Sequence, residues 1–70
     1  MKIEQINATQ YANIYGIYTD AGKVAGTVEV VIAGREAGKT FFYSWTNQFT
    51  RNDIKKAWRK RNVISSPTSL

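Results

Sequence analysis

Only one run in this 70-residue chain has the spacing of a familiar chemical motif. Ala33-Gly34-Arg35-Glu36-Ala37-Gly38-Lys39-Thr40 fits a Walker A phosphate cradle, with a strand-forming segment before it. Such a cradle works when a helix begins at the Lys-Thr, aiming free backbone N–H groups at phosphate. Here Phe41-Phe42-Tyr43-Ser44-Trp45 follows, which favours a strand, and no second acidic strand is present for magnesium. The run therefore reads as a glycine-bearing hairpin loop. The sequence has no histidine and no cysteine. That removes the usual general base, the thiolate nucleophile, disulfides and the commonest zinc ligands. The five acids, Glu4, Asp20, Glu29, Glu36 and Asp53, form no evident catalytic pair. No enzyme, no cofactor and no metal site is expected.

The remaining chemistry is charge. Ten Lys/Arg against five Asp/Glu give a formal +5, a balance that raises the question of nucleic acid. Its placement is uneven. Arg51, Lys55, Lys56, Arg59, Lys60 and Arg61 stand with Asp53 alone, six bases less one acid. Elsewhere Lys2, Lys23, Arg35 and Lys39 balance Glu4, Asp20, Glu29 and Glu36. The excess belongs to segment 51–61. A run of this kind can track phosphates, or it can be a solvated helix face complementing the dipole.

The elements that position these groups follow from pattern. Residues 13–19 are rich in β-branched and aromatic types and end in the turn Asp20-Ala21-Gly22-Lys23. Residues 24–33 form a second strand, 34–39 a second turn, and 40–45 a third strand. Asn52-Asp53 can cap a helix running to Arg61 or Asn62, with Ile54, Ala57 and Trp58 as its apolar stripe. Residues 1–10 are ambiguous, since Ile3 and Ile6 suit a helix and an edge strand alike. The expected fold is α+β: a three-stranded antiparallel meander with one C-terminal helix packed on one face. Residues 1–62 form a single small domain and 63–70 a polar, flexible tail.

Register sorts the side chains. With Ala21-Gly22 as a two-residue loop, Tyr18 meets Ala25, Gly16 meets Thr27, and Ile14 meets Glu29. Tyr15, Ile17, Val24, Val28, Val30 and Ile32 then face the helix. Pairing Ala33 with Thr40 adds Phe41, Tyr43 and Trp45 to that core and leaves Val31, Phe42 and Ser44 outside. A turn one residue longer or shorter would invert the third strand. The expected outer face is mostly small or apolar with one carboxylate, a surface suited to a protein partner.

The span from Tyr18 to Ser44 resembles a family of small type I-F anti-CRISPR proteins, which bind the backbone subunits of a crRNA-guided surveillance complex. Tyr18, Lys23, Val28-Glu29, Val31, Gly34, Gly38, Phe42 and Ser44 carry the resemblance, and a helix with an Ile and a Trp follows. In that family a tyrosine and a glutamate at these positions contact the target, which implies roles for Tyr18 and Glu29. The family's N-terminal contact tyrosine has no counterpart; Ile6 is nearest. Phe41-x-Tyr43-Ser44-Trp45 also resembles the third strand of three-stranded integrase DNA-binding domains. Their sheets present polar and basic groups to the major groove, whereas Ala25, Thr27, Glu29 and Val31 here offer no base.

The expected function is a non-enzymatic phage-type accessory protein that binds and inhibits a host protein complex. Its contact residues are Tyr18, Thr27, Glu29, Phe42 and Ser44. The alternative is a double-stranded DNA-binding module using Arg51, Lys55, Lys56, Arg59, Lys60 and Arg61. A further alternative is a homodimer pairing its outer faces. No stretch approaches the ~20 apolar residues of a membrane span, and no signal pattern opens the chain, so the expected location is the bacterial host cytoplasm.

Overall fold

The computed structural model describes the backbone of residues 1–68 and the side chains of residues 1–61. β1 (Lys2–Ala8), β2 (Ala12–Tyr18), β3 (Val24–Val31) and β4 (Thr40–Ser44) form one antiparallel sheet in the order β1-β2-β3-β4, and α1 (Arg51–Thr68) follows. The fold is α+β. The sheet has four strands instead of the expected three, because the ambiguous N-terminal segment is an edge strand. Ile3 lies on the core side, and the shift of register between Gln5 and Asn7 makes Ile6 a bulge. That bulge explains why Ile3 and Ile6 mimic a helical spacing. α1 runs past the expected end at Arg61 or Asn62. The expected tail, 63–70, falls outside the residues with described side chains.

Ile17, Ala25, Val28 and Ile54 are fully buried and, with Trp58, make the core between sheet and helix. Tyr15 packs on Trp58 with ring centroids 4.9 Å apart, and the Arg61 guanidinium covers the Trp58 ring at 3.9 Å. The guanidinium also lies 5.9 Å from the Tyr15 ring, so Tyr15, Trp58 and Arg61 form one mutual cluster.

The helix starts earlier than expected, at Arg51. Thr50, not Asn52, is the N-cap: the Asp53 N–H donates to Thr50 Oγ1 at 3.2 Å, and the Thr50 N–H donates to Asp53 Oδ2 at 2.9 Å. This reciprocal capping box holds the Asp53 carboxyl below its ordinary value of 3.8, chiefly through the Thr50 backbone N–H. A depressed carboxylate stabilises the fold above its unfolded-state pKa, and that contribution disappears as pH falls through the folded value. Thermal stability is therefore expected to fall as acid takes the pH below ~4. Circular dichroism melts should show a smaller acid loss in Asp53→Asn than in the wild type.

The β2–β3 pairing follows the expected register at Ile14↔Glu29, Tyr15↔Val28 and Gly16↔Thr27, but a shift after Ile17 pairs Tyr18 with Val24 instead of Ala25. Ala25 is consequently buried and Val24 exposed, the reverse of expectation. The β3–β4 register differs more. Thr40 pairs with Val30, not Ala33. The shift is 33 − 30 = 3 residues, an odd number, so every β4 side chain changes face. Ile32 and Ala33 leave the ladder and donate their N–H groups to the Tyr11 carbonyl at 2.8 and 3.3 Å. Ile32, expected in the core, is half exposed at 50%.

Inversion has a physical reason. On the helix side there is room for Phe42, which packs against the core, but Tyr43 and Trp45 would bring a hydroxyl and an indole N–H that need partners. The opposite face supplies both.

Candidate functional site

One face of the sheet carries the helix; the other is open. Strand pairing lays out the open face in rows. Glu4, Gly16, Thr27 and Tyr43 stand side by side, and Asn7, Ile14, Glu29 and Phe41 form the next row. Lys2, Tyr18 and Val24 lie beyond the first. The Tyr43 hydroxyl donates to Glu29 Oε1 at 3.3 Å, and Trp45 Nε1–H donates to Thr27 Oγ1 at 3.0 Å. Both rings therefore reach back across β3. Tyr18 lies over Gly16: a Cβ there would come within 2.8–3.0 Å of its hydroxyl and ring atoms. Gly16 makes the space in which that ring rests on the sheet.

Of the five residues expected to contact a partner, Tyr18, Thr27 and Glu29 share this face. Phe42 and Ser44 do not. Phe42 packs toward the core, and the Ser44 hydroxyl donates to the Phe49 carbonyl and, at 3.0 Å, to the Thr46 carbonyl, closing the turn into α1. Their places are taken by Phe41, Tyr43 and Trp45, which are 38%, 46% and 64% exposed. The missed signal was chemical. Two of these three aromatics carry a hydrogen-bond donor, and Thr27 and Glu29 were already placed outside.

Electrostatically the face is acidic and aromatic. Glu4 pairs with Lys2 at 3.0 Å. Tyr43 is held above the ordinary phenol value of 10.0, first by desolvation and then by the Glu29 carboxylate and its hydrogen bond, with Arg51 opposing. The protonated phenol thus favours the fold, and that advantage is lost as pH rises through the folded value. NMR titration of the Tyr43 ring carbons should place its midpoint above that of an ordinary tyrosine. Glu29→Gln is expected to lower it.

Of the six bases of α1, Arg51 at the helix start is within electrostatic reach of Tyr43. Arg51, Lys56, Arg59 and Lys60 are exposed, while Lys55 and Arg61 are partly buried and Arg61 is engaged with Trp58. None of the three ion pairs found among the described residues uses a base of the helix.

The Walker-like run is a loop. Gly34 and Gly38 have φ of 90° and 92°, Lys39 pairs with Glu36 at 3.2 Å, and Thr40 opens a strand. No helix N-terminus faces it. Among the described residues, no group of three or more acidic side chains could hold a metal, and no helix is long and apolar enough to cross a membrane.

These features define a sheet backed by a helix on one side and left open, aromatic and acidic on the other. Comparisons with protein-family models, curated proteins and solved structures find no match to the chain.

Proposed function

We propose that this protein is a non-enzymatic binding module that engages and inhibits a host protein complex through the open face of its sheet. The observation that carries this reading is the pinned aromatic face itself. Tyr43 and Trp45 are fixed by hydrogen bonds to Glu29 and Thr27, and Tyr18 rests on Gly16. Aromatic side chains that are already ordered lose little conformational freedom on binding, which is why they dominate protein interfaces. Glu29 supplies a carboxylate for a basic group of the partner. The resemblance to type I-F anti-CRISPR proteins names a target to try, the crRNA-guided surveillance complex. Its test is a pull-down with the purified complex and the full chain. Retention above background is expected; a chain that washes off at every salt concentration overturns that target.

A second reading, double-stranded DNA binding, is favoured by a separate observation: four bases of α1 are exposed and take no part in the ion pairs found among the described residues. It requires affinity that falls steeply with salt. Under the protein-binding reading, a gel shift at moderate salt shows no retarded band. A band abolished by Lys56→Glu with Arg59→Glu would favour DNA.

A further inference from the structure

The sheet has two free edges, and they differ. β1 carries the protections that natural edges use: a bulge at Ile6 and the charged Lys2 and Glu4. β4 has neither. Thr40-Phe41-Phe42-Tyr43-Ser44 contains no charge, proline or glycine, and it pairs with β3 without a break in register. An uncharged aromatic strand at an edge is a template for further pairing.

Which backbone groups face outward follows from the ladder. The Trp45 N–H donates to the Ala25 carbonyl at 3.0 Å, and the Val31 N–H to the Lys39 carbonyl at 2.9 Å. Hydrogen-bonded pairs recur at every second residue of an antiparallel ladder. Phe41 and Tyr43 therefore bond to β3, and the N–H and C=O groups of Thr40, Phe42 and Ser44 point away from the sheet. Among the described residues, no turn, loop, cap or side-chain hydrogen bond reaches those backbone groups.

We infer that a second copy of this chain covers the β4 edge, adding its own β4 antiparallel across a two-fold axis at Phe42. The outward residues are self-complementary about that axis. Phe42 meets the partner's Phe42 and Thr40 meets the partner's Ser44, which pairs every outward group. Any other register leaves at least one outward residue unpaired. The same register sets Phe41 opposite the partner's Tyr43 and Trp45 opposite the partner's Lys39; because the Tyr43 and Trp45 rings lean over β3, the backbone pairs and the Phe42 contact hold the edge. The pairing uses an edge and leaves the open face uncovered, so it is independent of the binding reading above. The two basic helices lie on the same side of the joined sheet, and their repulsion opposes association. Salt screens that repulsion. The dimer therefore strengthens with salt, the reverse of nucleic-acid binding.

Sedimentation velocity of the full chain between ~10 µM and ~1 mM, in low and high salt, is expected to move toward twice the 7.9 kDa chain mass. The shift should be larger in high salt. Because the chain has no cysteine, Phe41→Cys with Tyr43→Cys gives a clean positional probe. In the inferred register these positions are directly opposed at ~4.5 Å between Cα atoms, and oxidation yields a covalent dimer. Thr40→Pro removes an outward donor without touching the ladder to β3 and is expected to weaken the dimer at least ~10-fold. If that variant does not fold, amide exchange of the wild-type Phe42 N–H decides: it slows with protein concentration if the edge is paired. A monomer at every concentration overturns the inference. So does a dimer in which the cysteines fail to join and the Phe42 amide stays unprotected.

Discussion

Gly26→Ala is expected to destabilise the domain by ~3 kcal/mol, near the upper end for overpacking. A Cβ at this position would collide with the Tyr43 carbonyl of the neighbouring strand and come within 2.7 Å of Ile54 Cδ1. The first contact is with backbone, so no rotamer change relieves it; the β3–β4 ladder must open. The second strikes the fully buried side chain that docks α1 on the sheet. One methyl thus works against both the strand pair that aligns Thr27 with Tyr43 and the helix that closes the core. In a domain this small, ~3 kcal/mol is a large part of total stability, and the melting temperature should fall by ~12 °C or more. A melt within a few degrees of wild type would show that β3 and α1 do not approach as described. Gly16→Ala is the matching control, because the atoms its Cβ would meet first all belong to the movable ring of Tyr18.

On the open face, the largest expected effect is that of Glu29→Arg on partner binding. Glu29 is partly buried between Ile14 and Phe41 in its row and accepts a hydrogen bond from Tyr43. Reversing its charge removes the acceptor, releases the Tyr43 ring and sets a cation against any basic group of the partner. Loss of a close charge pair at an interface costs ~2 kcal/mol or more, a weakening of at least ~30-fold. Tyr18→Ala removes an aromatic whose resting place on Gly16 is already formed, and a loss of ~10-fold or more is expected. Both positions lie outside the buried core, so folding should survive, and circular dichroism checks that it does.

Much of this was legible in the sequence, and the failures have identifiable causes. The β2–β3 hairpin could be read because the Asp20-Ala21-Gly22-Lys23 turn is short and the flanking strands alternate cleanly. That pattern alone sets Tyr18, Thr27 and Glu29 on one face. The β3–β4 connection is longer, and its glycines allow more than one path. The true register depends on the Tyr11 carbonyl, which captures two N–H groups from residues expected to continue β3. A partner so distant in sequence leaves no local trace. β1 was obscured by its bulge, which breaks the two-residue period a strand otherwise shows. The excess charge was correctly confined to the helix. Its six bases differ in surroundings all the same, because Arg61 is spent on Trp58.

The measurement that tests the account most directly is the affinity for the purified type I-F surveillance complex of three chains: wild type, Glu29→Arg, and a helix variant with Lys56→Glu and Arg59→Glu. Recognition through the open face predicts that Glu29→Arg weakens binding at least ~30-fold while the helix variant stays within ~3-fold of wild type. Wild-type binding that survives Glu29→Arg and collapses in the helix variant would contradict it, and would place recognition on the basic helix instead.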